Sequence, residues 1–113
     1  PVDVRTVRLS DHLQEPTEFL KMDIEGAEYD VLSECEAQLA NVQTLFCEYH
    51  SRPAENEETL TALLGVLNRA GFSYHIARSP WVERKYALRP GNAVMNGYSL
   101  SIFARNRNWR GAA

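Results

Sequence analysis

FLKMDIEGAEYDVL, residues 19–32, is the most informative segment of the chain for predicting its fold. Its first part, residues 19–24, is a nearly continuous apolar run, which is typical of a strand covered on both faces, as in a parallel sheet. From Ala27 the apolar residues recur at helical spacing, which predicts an amphipathic helix of about 14 residues. Gly26 lies between the two and permits a sharp turn. The stretch therefore predicts a strand, a tight turn and a helix in that order.

The rest of the chain continues the alternation of strands and helices. Residues 44–50 predict a second strand, and Asn56 is a suitable N-cap for a helix that ends before a left-handed cap at Gly71. Residues 72–77 and 98–104 predict a third and a fourth strand. We expect right-handed parallel crossovers for the first three strands and an antiparallel last strand, because no helix precedes it. The predicted fold class is α/β.

The two ends of the chain are set apart from this core. Residues 2–9 alternate apolar and polar side chains, which suggests a short strand or an extended arm, and residues 10–13 favour a helical turn. We therefore divide the chain into an N-terminal arm and turn at 1–18, an α/β domain at 19–105 and a disordered tail at 106–113.

Composition excludes several classes of protein. A length of 113 residues corresponds to one domain or part of one, and a net charge of -3 argues against a general nucleic-acid binder. No apolar run approaches the roughly 20 residues that span a bilayer, so we expect no membrane partner. Cys35 and Cys47 lack the spacing of a disulfide framework or zinc site and are interpreted as buried apolar residues. We expect the cytoplasm as the compartment.

Polar side chains gather where the first two predicted strands end. Asp23 and Glu25 follow the first strand, while Glu48 and His50 close the second, which should lie about 4.8 Å away. Ligands of open α/β sheets bind beyond the carboxyl ends of the strands. Asp23, Glu48 and His50 are therefore candidate catalytic residues or ligands of a divalent metal. The alternatives are acids that stabilise a helix N-terminus and a hydrogen-bonded strand end.

Residues 19–32 resemble the signature of FkbM-type methyltransferases, whose L-K-x-D-x-E-G-x-E core begins the fourth strand of the class I methyltransferase sheet. Residues 7–13 resemble the leucine/aspartate element that precedes it, and residues 45–50 resemble a fifth strand ending in Glu-x-His. The resemblance covers roughly residues 7–105. It implies a partial Rossmann-like sheet made of strands four to seven, with the seventh inserted antiparallel between the fifth and the sixth.

The resemblance also implies an activity. Members of the family transfer a methyl group from S-adenosylmethionine to a hydroxyl of a sugar or another small natural product. A long segment between the last two strands occupies the place of an acceptor-binding lid in this fold, with a surface loop as the alternative. Together with one residue of the strand rim, this segment supplies the candidate acceptor-binding residues: Glu25, Trp81, Arg84 and Lys85.

The glycine-rich turn that normally holds the cofactor does not occur in the sequence. All six glycines, at positions 26, 65, 71, 91, 97 and 111, are isolated from one another. We therefore expect the C-terminal half of a methyltransferase domain, and its cofactor-binding residues are unknown. The alternative is a non-catalytic half-domain that acts as a binding or dimerisation module. An uncovered first strand would need a partner, either a second copy, a missing N-terminal half or the arm at residues 2–9.

Overall fold

The computed structural model describes residues 1–52, 58–78 and 97–111. The strands are β1 (Thr17–Met22), β2 (Val42–His50), β3 (Phe72–Arg78) and β4 (Ser99–Asn106). The helices are α1 (Glu28–Glu34) and α2 (Leu60–Arg69), with short 3-10 helices at Leu9–His12 and Glu36–Asn41. Within these residues no helix is long and apolar enough to cross a membrane.

The four strands form one sheet in the order β1-β2-β4-β3. β1 runs parallel to β2, and β4 runs antiparallel to both of its neighbours, β2 and β3. The antiparallel last strand is thus confirmed, and it lies between the second and third strands, as the family resemblance implies. Because β1 and β2 are parallel neighbours, their carboxyl ends meet at the same edge of the sheet.

The core lies on one face of the sheet. Leu45, Cys47 and Tyr49 of β2 are fully buried there, in one cluster with residues of α1 and α2. The alternate residues of β2 point to the opposite face, here called the open face, which also carries the exposed rings of Phe19 and Phe103. The expectation that the first strand is covered on both faces is therefore not met by the described residues, since Phe19 is 58% exposed.

The first helix is shorter than expected. α1 ends at Glu34, and Cys35, with φ -102° and ψ 19°, leads into the 3-10 helix Glu36–Asn41. Leu32, Cys35 and Leu39 are nevertheless all fully buried, so the apolar periodicity identified the buried side correctly. The tighter 3-10 turn changes the hydrogen bonding in the last part of the helix while keeping the same residues in the core.

The second helix has the predicted C-terminal end. Gly71 has φ +89°, the left-handed conformation expected of a glycine at this position. At the other end, the predicted N-cap Asn56 lies outside the described residues. Among those described, the Glu58 carboxylate accepts a hydrogen bond from the Leu60 backbone N–H at 2.8 Å and supports the first turn.

The chain ends differ in how they are held. Residues 1–8 are exposed and form no regular structure, so among the described residues β1 pairs with β2 only and the arm does not cover its free edge. The helical turn expected after the arm is confirmed at Leu9–His12. β4 extends to Asn106, two residues beyond the expected end, and Trp109 Nε1 donates a hydrogen bond to the Asn41 carbonyl at 3.1 Å. The boundary of the tail at 106–113 stays a prediction, but the hydrogen bonds of Asn106, Arg107 and Trp109 argue against disorder of these three residues.

Candidate functional site

The turn between β1 and α1 has an unusual backbone. Glu25 has φ +57° and Gly26 has φ +109°, so two successive residues are left-handed. Glycine adopts this conformation freely, whereas it costs a residue with a side chain about 1–2 kcal/mol. The Gly26 N–H donates to the two carboxylate oxygens of Glu28, at 3.2 and 3.1 Å. The turn therefore directs one carboxylate, that of Glu28, inward and leaves that of Glu25 outside.

Glu28 is the residue on which the site is built. It is fully buried at the start of α1, and its Oε1 lies 2.6 Å from Nδ1 of His50, the last residue of β2. Because a carboxylate accepts hydrogen bonds, this contact places the imidazole proton on Nδ1 and orients the ring. In the neutral imidazole the second ring nitrogen, Nε2, then carries the lone pair, and it faces the rim of the sheet.

Two further carboxylates face that nitrogen. Nε2 of His50 lies 3.7 Å from Oδ1 of Asp23 and 3.6 Å from Oε2 of Glu25. The three ligand atoms all lie within 4.8 Å of one another. The side chains are 23% exposed for His50, 45% for Asp23 and 82% for Glu25, so the group opens to solvent. Separations of this size leave room for one atom between the groups, such as a hydroxyl oxygen or a cation.

The electrostatics of the group favour a protonated imidazole. Partial burial lowers the pKa of His50, but the hydrogen bond to Glu28 and the negative charges of Glu28, Glu25 and Asp23 outweigh it. The net result is a His50 pKa raised above its ordinary value of 6.5. A raised pKa makes the imidazole a stronger base, which is useful to a group that must take up a proton.

Arg52, two residues after the end of β2, contacts both the turn and the first turn of α1. Its guanidinium lies 3.0 Å from Oδ2 of Asp30 in the first turn of α1. A Cβ added at Gly26 would lie 3.6 Å from the Arg52 Cγ, so the arginine stem covers the glycine. Arg52 therefore packs over the turn that carries Glu25 and Glu28.

Glu48 lies apart from this group. It points to the open face, as His50 does, and its Oε2 accepts a hydrogen bond from Ser101 Oγ at 2.9 Å. Its predicted role as a catalytic residue or metal ligand stays a prediction. The neighbouring thiol of Cys47 faces the core, and burial, followed by the charges of Glu28, Glu48 and Asp23, raises its pKa to about 12.

The structure brings together Asp23, Glu25 and His50 of the residues predicted from the sequence. Trp81, Arg84 and Lys85 lie outside the described residues. Sequence reasoning missed Glu28, because an acid at a helix N-terminus is already explained by the helix dipole. The signal that could have identified it is its place as the last residue of the L-K-x-D-x-E-G-x-E core.

A comparison with protein families identifies the family to which this part of the chain is similar. Residues 1–74 match the sequence model of a family described as the methyltransferase FkbM domain. The match extends from the arm to the start of β3 and includes Asp23, Glu25, Glu28 and His50. No match was found among curated proteins or among solved structures.

Proposed function

Because this chain belongs to the FkbM methyltransferase family, we propose that it takes part in methyl transfer from S-adenosylmethionine to a hydroxyl of a sugar or another small natural product. The observation that carries the proposal is the contact between buried Glu28 and His50, which leaves Nε2 directed toward the acidic rim. An oriented base beside an open site is what activation of a hydroxyl requires.

The residues have separate roles in this proposal. Nε2 of the neutral His50 ring would take the proton of the acceptor hydroxyl, and Glu28 would stabilise the imidazolium that forms. The bond from the acceptor oxygen to the methyl carbon would form as the bond from that carbon to the sulfonium sulfur breaks, with S-adenosylhomocysteine as the leaving group. Asp23 and Glu25 accept hydrogen bonds from the acceptor and hold it in line. The cofactor, when bound, supplies an electrophilic methyl group on a sulfonium. Trp81, Arg84 and Lys85 remain proposed acceptor contacts.

The residues present fit the cofactor only in part. The carboxylates of Asp23 and Glu25 suit the positive charge of a sulfonium. The glycine-rich turn that would cradle the rest of the cofactor does not occur in the sequence. We therefore propose that this chain corresponds to the C-terminal half of a Rossmann-like methyltransferase domain, and that a further segment or a second chain holds the cofactor. The order β1-β2-β4-β3, with an inserted antiparallel strand, supports this assignment.

The proposal is tested by calorimetric titration with S-adenosylmethionine and S-adenosylhomocysteine, followed by labelled-methyl transfer to a panel of sugars. Replacing His50 with Gln should lower transfer by about 10²- to 10⁴-fold, the usual contribution of a general base. The matched control is His75→Gln, on the exposed strand β3. Transfer that is measurable and equal in wild type and His50→Gln would rule out the proposed base, whereas no cofactor binding by the wild type would support the need for a second segment or chain.

The cluster of Asp23, Glu25 and His50 also suits the binding of a divalent cation. One imidazole and two carboxylates within 4.8 Å suit Mn²⁺, Fe²⁺ or Zn²⁺, and a carboxylate on the far ring nitrogen is the usual support of a metal-binding histidine. The ligands would be His50, Asp23 and Glu25, with Glu48 as the further proposed ligand. Chelator treatment separates the two uses, since it would abolish transfer that depends on a bound metal and leave proton abstraction by free His50 intact.

A non-catalytic role in assembly is the alternative. Among the described residues one edge of β1 pairs with no strand, and this edge supports a second copy as the partner, as do the exposed rings of Phe19 and Phe103 on the open face. Sedimentation equilibrium over a wide concentration range tests this, with Phe19→Ser expected to weaken association. A concentration-independent monomer mass would contradict it.

We propose the cytoplasm as the compartment because Cys35 and Cys47 are both unpaired thiols.

A further inference from the structure

A groove lies at the end of the sheet opposite to His50. It has a volume of about 380 Å³, and its lining residues are Gln43, Ser73, Arg105, Asn106, Arg107 and Trp109. It belongs to the start of β2, the start of β3 and the end of β4, whereas the acidic rim lies at the other end of β2. It is therefore separate from the site of the proposed methyl transfer.

The walls of the groove are held by hydrogen bonds. The side-chain amide of Asn106 donates to the Val42 carbonyl at 3.1 Å, and its oxygen accepts from the Asn108 N–H at 2.9 Å. The Arg107 backbone N–H and Nε both donate to the Gly71 carbonyl, at 3.0 and 3.2 Å. These contacts fix the chain that follows β4 against the beginning of β3, so the groove has a defined shape.

Trp109 forms another part of the wall. Its indole N–H donates to the Asn41 carbonyl at 3.1 Å, which fixes the plane of the ring. With its donor already used, the indole contributes an aromatic surface to the groove. A ligand with a charged group and an adjoining apolar or planar part would contact both kinds of surface.

Several side chains that line the groove donate hydrogen bonds, and two of them are positively charged. Arg105 is paired in register with Thr44 on one side and Ser73 on the other, and its side chain is exposed. It forms no ion pair with any residue that the structure describes. None of the six lining residues is acidic, and the two titratable residues among them are both arginines.

We infer that this groove binds a phosphate-bearing ligand. The planar guanidinium of Arg105 presents paired donors that match phosphate oxygens, and Arg107 adds a second positive charge. The Ser73 hydroxyl and the Gln43 amide supply neutral donors beside the two cations. In a chain of net charge -3, a groove whose described lining holds two cations and no acid attracts anions locally against the overall charge.

The test is an NMR titration of the chain with inorganic pyrophosphate at low ionic strength, following backbone amides and the Trp109 indole signal. Saturable shifts confined to the groove residues are expected. Arg105→Gln should weaken binding by at least about tenfold, because it removes a charged hydrogen-bond donor, and Arg105→Lys should restore part of the affinity, because it keeps the charge without the paired donors. Thermal melting of each variant checks that the fold is kept.

The matched control is the pair Arg5→Gln and Arg8→Gln, which removes positive charge from the exposed arm. An equal loss of affinity in the control would overturn the proposal, since it would indicate general charge attraction. Absence of saturable shifts in the wild type would also overturn it. Sedimentation with vesicles containing phosphatidate identifies the source: co-sedimentation indicates a lipid headgroup, and pyrophosphate binding without it indicates a soluble phosphate.

Discussion

Nδ1 of His50 lies 2.6 Å from Oε1 of Glu28, and this contact joins the last residue of β2 to the first residue of α1. The two residues are 22 positions apart in the chain. Glu28 is fully buried, and its two oxygens also accept the Gly26 N–H, so the carboxylate supports the turn and the imidazole together. The stability of the rim and the orientation of the candidate base thus depend on one side chain.

Glu28→Gln should destabilise the fold and lower the pKa of His50. The amide keeps the approximate shape but removes the charge that holds the imidazolium, and loss of a charged hydrogen bond costs about 1.5–3 kcal/mol. Urea denaturation measures the first effect and an NMR pH titration of the His50 ring the second. The control is Glu15→Gln, at an exposed position before β1. Unchanged values of both quantities would show that the contact is not formed in solution.

The stability of the protein should depend on pH through His50. Its pKa in the folded chain is raised above the ordinary value of 6.5. The contribution to the free energy of unfolding is therefore complete below about pH 6.5 and lost as the pH rises through the folded pKa. Denaturation curves at several pH values should show this decline in the wild type and less of it in His50→Gln. A parallel decline in His50→Gln would assign the effect to other groups.

Gly26→Ala should be destabilising, by about 1–2 kcal/mol, because φ +109° is a conformation that residues with a Cβ adopt at a cost. The matched control is Gly65→Ala within α2, where alanine is favoured over glycine by up to about 1 kcal/mol. There, an added Cβ would meet only the flexible end of the Arg69 side chain at 3.2 Å. Thermal melting should move the two variants in opposite directions. A stabilised Gly26→Ala variant would contradict the turn geometry.

The two thiols should be inert in the folded protein. Burial, followed by the charge of Glu34, raises the pKa of Cys35 to about 11. The pKa of Cys47 is about 12, for which burial is again the first cause. Because the thiolate is the reactive form, Ellman's reagent should modify neither residue at neutral pH until the chain is unfolded. Rapid modification of native protein would show that this part of the core opens.

The local sequence predicted most of the helices and strands correctly, but it did not predict the type of the last helical turn after α1 or the exposure of β1. The period change at Ala27 marked the start of α1, and Gly71 marked the end of α2, since both signals depend on neighbouring residues. The same periodicity did not show that α1 changes to a 3-10 helix after Cys35, because both forms bury Leu39. Phe19 was expected to be covered, since an apolar run does not specify what lies over each face.

The amino-acid pattern was enough to predict the strand, turn and helix at residues 19–32 and the family to which the chain belongs. The folded structure was needed to show that Glu28 turns inward to His50 and that Glu48 pairs with Ser101 instead. The reason is physical. Periodicity and turn chemistry act between close neighbours in the chain, whereas these contacts exist only after the strands have paired and brought distant residues to one edge of the sheet.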